Sequence, residues 1–320
     1  MYTDASFPGI AAGSAEEGLL RAIASDLESD TPRLIYADWL EEQGDAERAE
    51  FLRLQCQLVE SPLDAFQSDA MAGRARELEL RYGLVWKQRL PEELQGRSLF
   101  HRGLLTGMAC AVEAFPQVAE AFLAGNPLLH VLQVYPGQSS LRYQAWDRFF
   151  SSPWLRHFTS LDLSNNWMGN LGASVLANCP HLENLSELDL SGNNINDLAM
   201  PALMDATLPA LRRLKLRSNE FGDRGITLLA RSGRLTRLQR LDLNWNRIGD
   251  AGLSALVRGQ YLSSLEILDL RGNNIRENSV KVLLKSTALP RLRRLLLDGR
   301  GVFSKPTAKA LRRRIPELAL

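Results

Sequence analysis

At 320 residues, with 45% hydrophobic and 23% charged residues, the chain is long enough for one large or two ordinary domains of about 150 residues, and it falls outside the disordered and collagenous classes. No apolar run approaches the roughly 20 residues of a bilayer span, because Glu113, Pro116 and Glu120 interrupt the most apolar stretch, so no membrane association is expected. The net charge of +1 conceals an asymmetry: residues 1–204 carry 14 Lys and Arg against 27 Asp and Glu, a net of −13, and residues 205–320 carry 24 against 10, a net of +14. Asp4 and the missing basic run argue against a signal peptide. Cys56, Cys110 and Cys179 are odd in number and widely spaced, which excludes a disulfide framework and points to a reducing cytoplasm.

Residues 1–15 read as a flexible N-terminus and residues 16–60 as a small all-helical domain. Leu20, Ile23 and Leu27 form one apolar stripe; the pairs Ile35 with Trp39 and Tyr36 with Leu40 form a second; Ala49, Leu52, Cys56 and Val59 form a third. Thr31 is the expected N-cap with Pro32 at the first helical position, Gly44 the left-handed stop, and Asp45 the next cap. Asp38, Glu41, Glu42 and Asp45 lack a nearby His or a calcium-loop spacing, so the expected role of Asp38 is to accept a hydrogen bond from a neighbouring helix. Residues 61–98 read as a linking segment built on a helix from about Asp64 to Leu90. The blocks DTPRLIYADWLEEQG and ERAEFLRLQ together, within Glu16 to Gln57, resemble the short repeat-companion domain that accompanies leucine-rich and other repeats in certain large-genome bacteria. That resemblance implies no biochemical activity.

From residue 99 to 320 a fixed period takes over. Phe158, Leu161, Leu163, Asn166 and Met168 recur as Leu185, Leu188, Leu190, Asn193 and Ile195, then as Leu211, Leu214, Leu216, Asn219 and Phe221. The frame returns at Leu238, Leu241, Leu243, Asn246 and Ile248 and at Leu265, Leu268, Leu270, Asn273 and Ile275, with starts 27, 26, 27 and 27 residues apart. A sixth copy, Leu292, Leu295, Leu297 and Val302, has Arg300 at the asparagine position, so the asparagine ladder is expected to end there. The L-x-L alternation predicts a short strand with one buried face, and each asparagine predicts a side chain that satisfies backbone groups where the chain leaves the strand. Gly222, Asp223, Gly225, Ile226 and Leu229, like Gly249, Asp250, Gly252, Leu253 and Leu256, predict a helix capped by its own Asp, with glycines that let it approach the strand layer. Leu105, Met108 and Cys110, and Leu129, Leu132 and Val134 with Gly137, read as capping copies; Ser304 and Pro306 open a last helix, and Ile315, Leu318 and Leu320 a last strand. The frame L-x-x-L-x-L-x-x-N-x-L resembles the leucine-rich repeat, and the period near 27 its ribonuclease-inhibitor type, a class that includes GTPase-activating proteins. The implied fold is an α/β solenoid with parallel strands on the concave side and helices on the convex side.

Motifs for catalysis, nucleotide binding or metal binding are absent, so no catalytic residue, cofactor or metal is expected. His101, His130, His157 and His181 read as loop histidines, Cys110 as an inert buried thiol, and Cys179 as a weak candidate for a reactive one. A surface remains. Arg213, Arg217, Arg240, Asp242, Trp245, Asp269 and Arg271 fall on or beside the open strand face as adjoining acidic and basic columns, while Asn166, Asn193, Asn219, Asn246 and Asn273 form the structural ladder. The expected function is a non-enzymatic cytoplasmic scaffold that docks a protein partner on the concave face. Regulation of an enzyme, by inhibition or GTPase activation, is the alternative that the class resemblance allows. Nucleic-acid binding through the basic half is disfavoured by the interspersed Asp242 and Asp269.

Overall fold

The computed structural model describes residues 10–27, 29–60, 65–88, 92–126, 128–137, 142–298 and 303–319. The expectations for residues 1–9, Asp64, Leu90, Arg300, Val302 and Leu320 lie outside these residues. In chain order the elements are α1 (Ala15–Ser25), α2 (Thr31–Glu42), α3 (Ala46–Glu60), α4 (Ala65–Lys87), α5 (Glu92–Gln95), β1 (Ser98–His101), β2 (Leu104–Ala111), α6 (Phe115–Gly125), β3 (Val131–Tyr135) and α7 (Arg142–Phe150). Strand and helix then alternate: β4 (Ser160–Asp162), α8 (Gly169–Ala177), β5 (Glu187–Asp189), α9 (Met200–Asp205), β6 (Arg213–Lys215), α10 (Asp223–Arg231), β7 (Arg240–Asp242), α11 (Asp250–Leu256), β8 (Ile267–Asp269), α12 (Glu277–Lys285), β9 (Arg294–Leu296), α13 (Lys305–Arg314) and β10 (Glu317–Ala319). The chain divides into two compact units, Met1–Ala109 with Gln117–Val131, and Cys110–Pro116 with Leu132–Leu320.

In the first unit the apolar stripes meet as one core of Leu20, Ile23, Tyr36, Ala37, Leu40, Ala49, Leu52 and Cys56. Ile35 departs from its expected packing: it is exposed with Leu34, because α2 turns the Tyr36 and Leu40 face inward. Gly44 ends α2 at φ +84, the left-handed stop. The N-cap of α2 is Asp30 rather than Thr31; its backbone is already helical at φ −85, its carboxylate makes no cap bond, and Arg102 pairs with it at 2.6 Å in a buried ion pair. Arg53 reaches Asp38 and Glu41, both at 2.6 Å, which uses the acidic face of α2 to tie it to α3. Where sequence spacing suggested a first capping copy, β1 and β2 pair antiparallel. Their turn places Arg102 at φ +49 and Gly103 at φ +78, the two left-handed residues of a type I′ hairpin. A Cβ at Gly103 would lie 2.3 Å from the Leu52 Cα, so both the turn and the close approach require glycine.

The second unit is the solenoid. Strands β4 to β10 lie side by side in sequence order, all parallel. Their register places Leu161, Leu188, Leu214, Leu241, Leu268 and Leu295 in one buried column. Each such side chain contributes about 1.5–3 kcal/mol relative to exposure. An aromatic cluster closes the near end: Phe115 lies 5.0 Å from Phe149 and 5.8 Å from Phe158, ring centre to ring centre. At the far end Ser304 caps α13 through its hydroxyl, with Pro306 in the first turn.

Two ladders of hydrogen bonds tie consecutive repeats. In the first, each asparagine bridges to the repeat before it. The Asn193 Oδ1 accepts from the backbone of Asn166 and Met168 at 3.0 and 3.1 Å, while its Nδ2 donates to the Leu163 carbonyl at 2.8 Å. Asn219 does the same to Asn193, Ile195 and Leu190, Asn246 to Phe221 and Leu216, and Asn273 to Ile248 and Leu243. Asn166 donates to the Val134 carbonyl at 2.7 Å.

The second ladder corrects the expected helix caps. Gly222 and Gly249 occupy the N-cap positions of α10 and α11 and offer no side chain. The acid that follows each glycine serves the next repeat instead. Asp223 accepts from Gly249 and Gly252 at 2.7 and 2.8 Å, Asp197 accepts from Gly222 at 2.7 Å, and Asp250 accepts from the Arg276 amide at 2.8 Å and the Ser279 hydroxyl at 2.7 Å. Glu277 completes the series by accepting from the hydroxyls of Ser304 and Thr307. Cβ atoms at Gly225 and Gly252 would lie 2.3 and 2.6 Å from the carboxylates of Asp197 and Asp223, so these glycines clear space for the preceding repeat's acid.

Asn219→Ala and Asn246→Ala should each lower unfolding free energy by about 1–3 kcal/mol, since backbone groups on two repeats lose partners. The exposed Arg258→Ala should change it by less than about 0.5 kcal/mol. Equal denaturation midpoints for all three would remove the structural role of the ladder.

The second ladder predicts acid sensitivity. Hydroxyl hydrogen bonds from Ser304 and Thr307 outweigh partial desolvation and hold the Glu277 carboxyl down at about 2. The Ser279 hydroxyl likewise holds Asp250 below its ordinary value. The folded-state values are depressed, so this stabilisation is complete above the ordinary carboxyl range near 4.5 and is lost as pH falls toward 2. Melting of Glu277→Gln between pH 5 and 2.5 should fall less steeply than melting of the native chain.

Candidate protein-docking site

The open face of the strand sheet is built by the residues that alternate with the buried leucines. Parallel register sets the neighbours: Glu187, Arg213, Arg240, Ile267 and Arg294 form one row, and Asp189, Lys215, Asp242, Asp269 and Leu296 form the next. Asp162, Asp189, Asp242 and Asp269 each also accept the backbone N–H two residues on, at 2.8–3.1 Å, which fixes the carboxylates where the chain leaves the strand.

Charge on this face is matched on both sides of β7 and mismatched on it. On β5 and β6, Glu187 pairs with Arg213 at 3.3 Å and with Lys215 at 2.7 Å, and Lys215 also reaches Asp189 at 3.5 Å. Burial opposes ionisation of both Glu187 and Lys215. Their mutual attraction, with Arg213 and Asp189 beside them, outweighs it, keeping the carboxyl below and the ammonium above its ordinary range. On β8, Asp269 pairs with Arg271 at 2.6 Å, which raises the Arg271 pKa against partial burial. Strand β7 sets Arg240 opposite Arg213 and Asp242 opposite Asp269, two like-charge cross-strand pairs. Among the described residues neither Arg240 nor Asp242 has an ion-pair partner within 4 Å. Burial, then Arg213 and Arg293, lower the Arg240 pKa, with Glu187 and Glu266 opposing them. Burial raises that of Asp242; the Asn244 N–H counters it and Asp269 reinforces it.

Where the strands end, one position adopts left-handed backbone in every intact repeat: Asn165, Gly192, Ser218, Trp245 and Gly272, with φ of 58, 65, 53, 53 and 67. Glycine, asparagine and serine suit this conformation, and a bulky aromatic residue is an outlier there. Trp245 is nonetheless 67% exposed, with its indole close to Gly272, where a Cβ would come 2.8 Å from the ring. Arg217 and Arg271 are exposed at the adjoining strand exits. The structure therefore gathers Arg213, Arg240, Asp242 and Asp269 at the strand centre, with Arg217, Trp245 and Arg271 at its exit.

Two contributors were missed from sequence. Asn244 sits on the open face yet is only 5% exposed; its Nδ2 donates to Asp269 at 3.2 Å, and its Oδ1 has no hydrogen-bond partner among the described residues. Trp167, at φ +54 and 59% exposed, is a second left-handed tryptophan, signalled only by a large aromatic directly after a ladder asparagine.

The reactive-group candidates take other roles. Cys179 is buried, donates to the Phe150 carbonyl at 3.0 Å, and is pushed up to about 11 by burial, which corrects its reading as a possible reactive thiol. Cys56 is likewise pushed up to about 12. His130 is buried beside the Leu128 carbonyl, and burial with the adjoining Arg156 lowers the His157 pKa. Among the described residues no three His, Cys, Asp or Glu side chains converge as a metal site, and no helix is long and apolar enough to cross a membrane.

Five segments, 155–177, 181–204, 208–230, 235–257 and 261–284, match the family model described as Leucine Rich repeat. No curated protein matches the chain as a sequence relative. Among solved structures, the internalin InlF of Listeria monocytogenes aligns at 23% identity and a TM-score of 0.40 over 58% of this chain and 46% of its own. The yeast Rad7 and Elc1 complex aligns at 15% identity and 0.47, over 96% and 92% of the two chains. A Bacteroides fragilis protein aligns at 15% and 0.43, over 77% and 83%. The chain spans about half the length of the Listeria monocytogenes InlF and InlP chains that it matches.

Trp245→Asn should leave the melting temperature unchanged or raise it, because asparagine tolerates the left-handed conformation that tryptophan resists. A loss above about 2 kcal/mol would show that the indole is a packing residue.

Proposed function

We propose that the chain is a non-enzymatic cytoplasmic scaffold that docks a protein partner on the open strand face of its solenoid, the concave side, through Arg213, Arg217, Arg240, Asp242, Trp245, Asp269 and Arg271. The carrying observation is Trp245: a large aromatic held exposed in backbone that its sister repeats fill with Asn, Gly or Ser. Tryptophan and arginine contribute most at interfaces because they combine contact area with directional polar groups. The outer face offers less, since its helices turn Ile226, Leu229, Leu253, Leu256, Val280 and Leu283 inward. The leucine-rich repeat match supports this reading, because stacked repeats present long open surfaces. The N-terminal helical segment, 16–60, is proposed as a bacterial companion module without catalytic activity.

Trp245→Ala should weaken partner binding at least tenfold, about 1.4 kcal/mol, with little change in melting. Arg258→Ala on the outer face should alter neither. Titration calorimetry of both variants against the captured partner checks this, and equal affinities would move the docking face elsewhere.

A further inference from the structure

The unmatched charges of β7 specify what the partner must bring. Like charges directly opposite across two strands destabilise a sheet, and here they stand on partly buried positions where water screens them less. The chain had remedies within its own repeats. Lys215 faces Asp242 in register, yet it turns to Glu187 and Asp189. Ile267 occupies the Arg240 row one strand on without introducing charge. Glu187 and Glu266 act on Arg240, and Arg217 with the Asn244 N–H on Asp242, but among the described residues neither charge closes an ion pair within 4 Å.

Resting on the docking reading above, we propose that β6 to β8 bind an extended segment of a protein partner carrying an acidic and a basic side chain two residues apart, the acid against Arg240 and the base against Asp242. The spacing follows from the strand: Arg240 and Asp242 project from the same face about 6.6 Å apart along the chain, and residues i and i+2 of an extended segment have the same separation. Beyond the base the segment meets the Trp245 indole, which suits a flat apolar side chain. Nucleic acid fits poorly, because a phosphate run drawn to Arg213 and Arg240 must then pass Asp242 and Asp269.

The test uses the full chain, immobilised at physiological salt and presented with a random nine-residue peptide library, with enriched peptides resynthesised for anisotropy titration. The expected peptides carry one acid and one base separated by a single residue. Their affinity should fall at least tenfold for Trp245→Ala. It should fall equally for the double reversal Arg240→Glu with Asp242→Arg, which should instead bind the peptide with acid and base exchanged. If the double reversal does not fold, the neutral variants Arg240→Gln and Asp242→Asn replace it, each losing discrimination only against peptides neutralised at the matching position. Peptides that need Trp245 but ignore the identity and order of the charges would overturn the charge inference and leave the docking face standing. A library with no Trp245-dependent peptide would overturn both. Tight binding of a 20-residue deoxythymidine oligonucleotide that is abolished by Arg240→Gln would assign the basic row to phosphate and overturn the peptide proposal.

Discussion

The solenoid depends on the asparagine side chain at the end of each strand. A single repeat buries its leucines on one face only and leaves backbone N–H and C=O groups unmet where the chain turns away from the strand. Asn219 accepts from Asn193 and Ile195 and donates to the Leu190 carbonyl, so one amide satisfies three groups of the preceding repeat. Each such bond is worth about 1 kcal/mol net, but an orphaned buried group costs about 1–3 kcal/mol. The leucine column supplies more energy in total, yet its burial does not specify a neighbour. The asparagines do, because they fix the distance and register at which the next strand must lie.

This division explains what could be read from sequence. The leucines and asparagines stand at fixed offsets within a period of about 27, and their bonds follow from the offsets alone. The acids at Asp223 and Asp250 also stand at fixed offsets, but the offset misleads. An Asp at a helix start serves either its own helix or the one stacked on it, and a strict period makes both look identical in one dimension. The distinguishing signal was in the glycines. Gly225 and Gly252 leave space filled by Asp197 and Asp223 rather than by the strand layer. Where the period fails, so does the reading. The first capping copy is an antiparallel hairpin whose tight turn at Arg102 and Gly103 has no repeat to announce it. Asp30 instead pairs with Arg102, 72 residues away in sequence.

The candidate site was legible as composition and illegible as pairing. Alternation with the buried leucines places Arg213, Arg240, Asp242 and Asp269 on the open face without any coordinates. Which charges neutralise one another depends on how long side chains lean, and Lys215, opposite both Asp189 and Asp242, leans to Asp189 and Glu187. Nothing in the repeat frame sets Asn244 apart from the other polar strand-exit residues, and its burial beside Asp269 depends on coordinates.

The departures gathered on the β7 repeat are independent of one another. Arg240 faces a like charge where the next strand places Ile267, Asp242 faces a like charge where the preceding strand places Lys215, and Trp245 takes left-handed backbone where neighbours place Ser218 and Gly272. Ile267, Ser218 and Gly272 show that the fold accepts a less costly residue at the Arg240 and Trp245 positions, whereas Asp242 keeps the strand-exit bond to the Asn244 N–H that Asp162, Asp189 and Asp269 make in their own repeats. Backbone strain persists where surrounding structure holds it, and it clusters at binding and active sites. A partner bringing an acid, a base and an apolar surface in that order meets both charges and covers the exposed indole, while the left-handed backbone of Trp245 stays held by the turn.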